Sequence, residues 1–89
     1  MSYTLRFAKP FLKSLKSLDQ AIIRRIHHRL KELAQNPFDP RISGPVEMEQ
    51  GEQKTRVGDW RIFFEVDEAK RIIDVLAVRP RQRAYKKKR

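Results

Sequence analysis

The chain has no cysteine, so neither a disulfide nor a thiolate-bound metal can brace it. That composition suits a reducing cytoplasm. Glycine is scarce: three residues, scattered singly at positions 44, 51 and 58, cannot form a glycine-rich loop that cradles phosphate. No apolar run approaches the ~18 residues of a membrane span. Met1-Ser2-Tyr3-Thr4-Leu5-Arg6 lacks an apolar core of signal-peptide length. A soluble cytoplasmic protein without a membrane partner is expected. His27 and His28, the two histidines, are neighbours in sequence, whereas a metal pair on one helix needs i, i+4 spacing. They read as helix-surface side chains, and no Ser–His–acid or Cys–His arrangement suggests itself. A length of 89 residues allows one domain, 1–89, with a thin core and little stability to spare.

Acid is the other scarce commodity. Lys and Arg total 21 against 11 Asp and Glu, a formal charge of +10, which points to an anionic partner: nucleic acid, an acidic protein or an anionic membrane surface. The excess is greatest in the basic C-terminal segment, 79–89, where Arg79, Arg81, Arg83, Lys86, Lys87, Lys88 and Arg89 occur with no acid among them. Arg79, Arg81 and Arg83 directly follow a strong strand candidate and are expected to be held in place. Lys86 to Arg89 read as a solvated end.

Hydrophobic spacing sets out the elements. Tyr3 to Phe7 alternates apolar and polar residues, a short strand with one buried face. Ala8 to Lys16 places Phe11, Leu12 and Leu15 at helical spacing, and Pro10 is tolerated in a first turn. Ser17-Leu18-Asp19-Gln20 reads as a capping box with Ser17 as N-cap. Behind it Leu18, Ile22, Ile26, Leu30 and Leu33 form one stripe of an amphipathic helix, ended by Asn36-Pro37, with Arg24, Arg25, His28, Arg29, Lys31 and Glu32 on the other side. Phe38 to Pro45 reads as a loop. Three strands follow: Val46 to Val57 (weak around Gln50-Gly51), Trp60 to Val66, and Ile72 to Val78, joined by turns at Val57-Gly58-Asp59 and Asp67-Glu68-Ala69-Lys70.

The fold class is therefore α+β in the order β-α-α-β-β-β, with a helical hairpin packed on one face of a mostly antiparallel sheet of about four strands. Alternation puts Trp60, Ile62, Phe64 and Val66 on the face that meets the helices. Arg61, Phe63 and Glu65 take the open face, where Lys54 and Arg56 are expected to join Arg61, with Arg81 and Tyr85 at its rim. Trp60 reads as core because of that alternation. Tyr85 stands among cations, past the last strand, where an aromatic ring stacks on a base while its neighbours hold phosphates.

This order of elements, with Lys54-Thr55-Arg56-Val57-Gly58-Asp59-Trp60-Arg61 at its centre, resembles the RelE/ParE toxin superfamily of toxin–antitoxin systems. The resemblance covers nearly the whole chain. It is carried by Arg56 to Ile62, the Val75-Leu76-Ala77-Val78 strand and the Arg81-Gln82-Arg83-Ala84-Tyr85 ending. The RelE branch implies ribosome-dependent cleavage of mRNA without metal or other cofactor. The ParE branch implies inhibition of DNA gyrase without nuclease activity, and an inactive basic RNA-binding module is a third reading. The resemblance also implies a cognate antitoxin, acidic or amphipathic, in a toxin–antitoxin hetero-oligomer.

In RelE-like cleavage the ribose 2′-hydroxyl attacks the adjacent phosphate, which requires a base, positive charge around the pentavalent phosphorane and an acid for the leaving oxygen. Carried over to matching positions, the catalytic set is Lys54, Arg56, Arg61, Arg81 and Tyr85. Arg79, Arg83, Lys86, Lys87, Lys88 and Arg89 supply further attraction to RNA. Many RelE proteins have Lys-x-Lys-x-Arg before the turn, whereas this chain has Glu52-Gln53-Lys54-Thr55-Arg56. Other relatives pair a sheet Glu with a His near the C-terminus, and here Pro80 stands close to that place. The base is then Lys54, if nearby cations favour its neutral form, or Glu52, if register brings it onto the same face. Arginine is a poor proton donor, so Arg81 fits charge stabilisation.

Overall fold

The computed structural model describes residues 2–46 and 51–80. Its elements are β1 (Thr4–Phe7), α1 (Lys9–Leu15), α2 (Gln20–Gln35), β2 (Gly44–Pro45), β3 (Glu52–Val57), β4 (Trp60–Asp67) and β5 (Ile72–Pro80). The strands form one sheet in the order β1-β5-β4-β3-β2, antiparallel throughout except for the parallel β1–β5 pair.

The apolar stripe of α2 buries Ile26, Leu30 and Leu33, while Leu18 and Ile22 pack partly buried at its N-terminal end. Phe11 is the contribution of α1. These side chains meet Val57, Ile62, Phe64, Ile73, Val75 and Val78 from one face of the sheet, with Trp60 and Val66 at the margin. Both histidines are exposed on α2, and His28 Nε2 lies 3.9 Å from Glu32 Oε2. Among the described residues no helix is long and apolar enough to cross a membrane.

The structure amends the expected elements in four places. The sheet has five strands, because the Pro/Gly-rich loop contributes β2, which pairs Gly44 with Lys54 and Pro45 with Gln53. Proline, lacking an N–H, is compatible with such an edge strand. Val46 is not in line with β3 but opposite it, donating its N–H to the Glu52 carbonyl at 3.0 Å. The expected Val46–Val57 strand is thus two antiparallel pieces, and its residues 47–50 lie outside the described residues. The N-cap of α2 is Asp19, whose carboxylate accepts from the Ile22 N–H at 3.0 Å. Ser17 instead turns its hydroxyl back to the Ser14 carbonyl, at 2.8 Å, after the last turn of α1.

The fourth amendment governs the site. β5 runs to Pro80, two residues further than the apolar run Ile72 to Val78 suggests, so Arg79 belongs to the strand. Pairing with β4 shifts register between Phe63 and Phe64: Ala77 faces Phe63, Val75 faces Phe64, and Leu76 is left over. Such a bulge reverses the alternation beyond it. Ile73 and Val75 point into the core before the bulge and Val78 after it. Arg79 is thereby turned onto the open face.

A candidate anion-binding face

Register arranges the open face in three rows. Strand partners directly opposite each other share a face. Arg56 pairs with Arg61, and Arg61 pairs with Arg79, giving one row of arginines across three strands next to the β3–β4 turn. In the next row Lys54 is opposite Phe63, which is opposite Ala77. In the third, Glu52 is opposite Glu65, which is opposite Asp74. The Arg79 guanidinium lies 5.9 Å from the centre of the half-buried Phe63 ring, a cation–π contact that links the first two rows.

Like charges directly opposed destabilise a sheet. A row of three arginines is therefore an arrangement that a bound anion relieves. Asp74, at the acidic end, is already engaged: Arg6 on β1 grips it through Nε–Oδ1 at 2.8 Å and Nη2–Oδ2 at 3.2 Å. The Arg6 hydrogen bond holds the Asp74 carboxyl below the usual carboxylate range. The face is polarised along the strands, cationic toward the β3–β4 turn and carboxylate-bearing toward the far ends of β3 and β4, where Arg6 of β1 pairs with Asp74.

A cleft of about 280 Å³ opens beside the arginine row, lined by Lys54, Arg56, Arg61 and the loop from Pro40 to Gly44. That loop is stapled by its own side chains. Asp39 accepts from the Arg41 backbone N–H at 3.0 Å and holds the guanidinium at 2.9 and 3.1 Å, and the Ser43 hydroxyl donates to the Pro37 carbonyl at 2.7 Å. Arg41 is fixed in this way at the cleft's rim, a fourth cation that sequence reading left in an unremarked loop. The signal was the Asp39-x-Arg41 spacing, which lets one carboxylate meet both backbone and guanidinium.

Hydrogen bonding from the Arg41 side chain, then from its backbone N–H, lowers the Asp39 pKa from its ordinary value. A carboxylate depressed in the folded state contributes stability above its unfolded pKa and loses it as pH falls through the folded value. The wild type is therefore expected to lose a stability increment below about pH 4. Asp39→Asn should lack that increment, so that thermal melts of the two proteins converge as pH drops from 6 toward 3.

Of the residues singled out from the sequence, Glu52, Lys54, Arg56 and Arg61 share the open face, and Arg79 joins them through the bulge. Glu52 meets the condition of lying on the Lys54 side, one row farther from the arginines. Arg81, Arg83, Tyr85, Lys86, Lys87, Lys88 and Arg89 lie outside the described residues. Arg29, expected on the solvent side of α2, instead reaches under β3. Its Nη1 donates to Thr55 Oγ1 at 2.8 Å and to the Arg56 carbonyl at 2.7 Å, while Nε pairs with Glu32 at 2.8 Å. Among the described residues Thr55 is the buried polar side chain of the core, and Arg29 satisfies it.

A family model described as the ParE toxin of the type II toxin–antitoxin system parDE matches residues 5–85. Among solved structures, the RelE–RelB complex from Pyrococcus horikoshii is 26% identical with a TM-score of 0.80, over 93% of this chain and 99% of that one. The RelB–RelE antitoxin–toxin complex from Methanococcus jannaschii is 27% identical with a TM-score of 0.71, over 91% and 95%. The intact Escherichia coli RelBE toxin–antitoxin complex shares the fold at 19% identity, with a TM-score of 0.80 over 92% and 100%. A search of curated protein sequences gives no match.

Proposed function

The chain belongs to the ParE toxin family of type II toxin–antitoxin systems, within the RelE/ParE superfamily, and from that premise we propose that it is a ribosome-dependent mRNA endoribonuclease. The observation that carries this reading is the in-register row Arg56–Arg61–Arg79 with Lys54 beside it. Stabilising a phosphorane needs preformed positive charge aimed at one place, and opposed arginines supply it. The matching archaeal structures above 25% identity are RelE proteins, which favours the RelE branch.

In the proposed reaction the substrate's 2′-oxygen forms a bond to phosphorus as the bond from phosphorus to the 5′-oxygen breaks. The products are a 2′,3′-cyclic phosphate and a 5′-hydroxyl. Arg56, Arg61 and Arg79 neutralise the equatorial oxygens, assisted by Arg81. Lys54 or Glu52 takes the 2′ proton, and Tyr85 stacks on a neighbouring base or returns a proton to the leaving oxygen. Lys86 to Arg89 and Arg83 add long-range attraction. A cognate antitoxin covers the basic face until it is released.

The second reading, a gyrase inhibitor, is what the ParE branch implies, and its support is the match to the ParE toxin family. Inducing the protein and mapping translated mRNA by primer extension separates the two. The nuclease reading expects cuts within translated regions that vanish when ribosomes are kept off the message. Gyrase-dependent DNA breaks with intact mRNA would establish the other.

The tail and Tyr85 are expected to respond differently to salt. Attraction from Lys86 to Arg89 comes from counterion release and weakens steeply as salt rises. Base stacking is worth roughly 1–3 kcal/mol and is less salt-sensitive. Deleting 86–89 should weaken RNA binding at low salt and matter little at high salt. Tyr85→Ala should slow cleavage at every salt concentration, and Tyr85→Phe reports whether the hydroxyl moves a proton. A tail deletion that abolishes cleavage while Tyr85→Ala leaves it intact contradicts the assignment.

A further inference from the structure

A second basic cleft, of about 440 Å³, lies on the other side of the β3–β4 hairpin, between that hairpin and α2. Arg24, Arg25, His28 and Arg29 line it from the helix, and Arg56 and Gly58 close it from the hairpin. Arg24, Arg25 and His28 are one turn or less apart on an exposed helix face, which a helical wheel assigns simply to solvent. The fold gives that face a wall.

Three features distinguish this cleft from scattered surface charge. Among the described residues, no carboxylate pairs with Arg24 or Arg25; the acid in this part of α2, Glu32, is taken by Arg29 and His28. Arg29 is held by its bonds to Thr55, Arg56 and Glu32, so the cleft floor is fixed before any ligand arrives. The Arg25 guanidinium packs against the hairpin turn. A side chain at Gly58, whose φ is +59°, would place its Cβ 3.1 Å from Arg25 Nη1. Glycine thus serves the turn and leaves room for the guanidinium.

Arg56 lines both this cleft and the one beside the arginine row. The two clefts therefore adjoin at Arg56, with Arg61 on the open-face side and Arg29, Arg25 and Arg24 on the helix side. We propose that this α2–hairpin cleft is a second binding site for the phosphate backbone of single-stranded RNA, holding nucleotides that flank those on the open face. The proposal rests on the RNA reading of the open face and extends it. A cationic groove that tracks a backbone is how proteins hold single strands without reading sequence. Arg24 and Arg25 have no part in bond breaking here; they anchor the strand and raise occupancy.

The test uses the purified protein and a short labelled single-stranded RNA with 2′-O-methyl riboses, which cannot be cut by 2′-hydroxyl attack. Binding is followed against salt for the wild type, for the double variant Arg24→Gln/Arg25→Gln, and for Lys9→Gln/Lys13→Gln on α1 as a charge-matched control. Each phosphate contact on a single strand contributes about 0.7 to the slope of log affinity against log salt. Loss of both arginine contacts should flatten the slope by roughly 1.4 and lower affinity at low salt on the order of tenfold. The control should change the slope much less. Matched melting curves show that the variants are folded.

An unchanged slope and affinity in Arg24→Gln/Arg25→Gln overturns the proposal, as does a wild type that does not bind the RNA. So does a variant that binds RNA normally but loses an acidic probe such as a poly-glutamate peptide, which would assign the cleft to a protein partner. The nuclease reading fails separately. If Arg61→Gln cleaves translated mRNA like the wild type, the open-face chemistry is wrong, whatever the salt slope shows.

Discussion

Arg61→Gln is expected to lower mRNA cleavage about 100-fold while leaving the melting temperature within a degree or two of the wild type, because removing one preorganised charge-stabilising donor costs about 10²–10³ in rate. Arg61 is the middle of its row, opposite both Arg56 and Arg79, so any phosphate bridging the row contacts it. It is partly exposed and absent from the buried core, so its loss opens no cavity. Relief of like-charge opposition is expected to offset any lost packing of its stem. Single-turnover cleavage on translating ribosomes, with binding measured alongside, checks this. A fall in affinity with an unchanged rate constant would make Arg61 a docking residue. Unchanged cleavage at matched expression would remove it from the site.

The second large effect lies in the core. Leu30→Ala should cost about 2–5 kcal/mol and Phe64→Ala about 3–5 kcal/mol. Leu30 is 4% exposed and Phe64 is fully buried, and they belong to the cluster that joins α2 to β4 and β5. A domain of this size has roughly 5–15 kcal/mol in total, so either change removes a large share. Denaturant melts measure the loss, and a midpoint equal to that of the wild type would contradict the packing of α2 on the sheet. The same variants should leave the arginine row intact in whatever fraction remains folded. Cleavage per folded molecule is then expected to be near normal, in contrast with Arg61→Gln.

What could be read from the sequence follows from periodicity. Ile22, Ile26, Leu30 and Leu33 fix α2, and the alternation of Trp60, Ile62, Phe64 and Val66 with Arg61 and Glu65 fixes both faces of β4, although Phe63 is apolar on the open side. The sequence alone therefore assigns Arg61 to the open face. β5 is different, because Val75-Leu76-Ala77-Val78 is uniformly apolar and carries no phase. A bulge at Leu76 leaves no mark in such a run, so the turn of Arg79 onto the open face was not legible. β2 was hidden for another reason: two residues, Gly44 and Pro45, are too few to show a period, and both types signal loop. The N-cap of α2 is ambiguous in the sequence because Ser17 and Asp19 both suit the role, and only the geometry shows Ser17 bonded back to α1. On α2 the sequence marks Arg24, Arg25 and Arg29 as polar, but a helical wheel does not reveal that a hairpin closes over them.

The arginine row is proposed to stabilise cleavage of RNA at a phosphate on the ribosome. End-group analysis of a defined mRNA, incubated with translating ribosomes and purified protein, tests it most directly. Fragments bearing 2′,3′-cyclic phosphate and 5′-hydroxyl ends are expected, formed by the wild type and nearly absent with Arg61→Gln. Intact mRNA with the wild type, or fragments with 5′-phosphate ends, would contradict it.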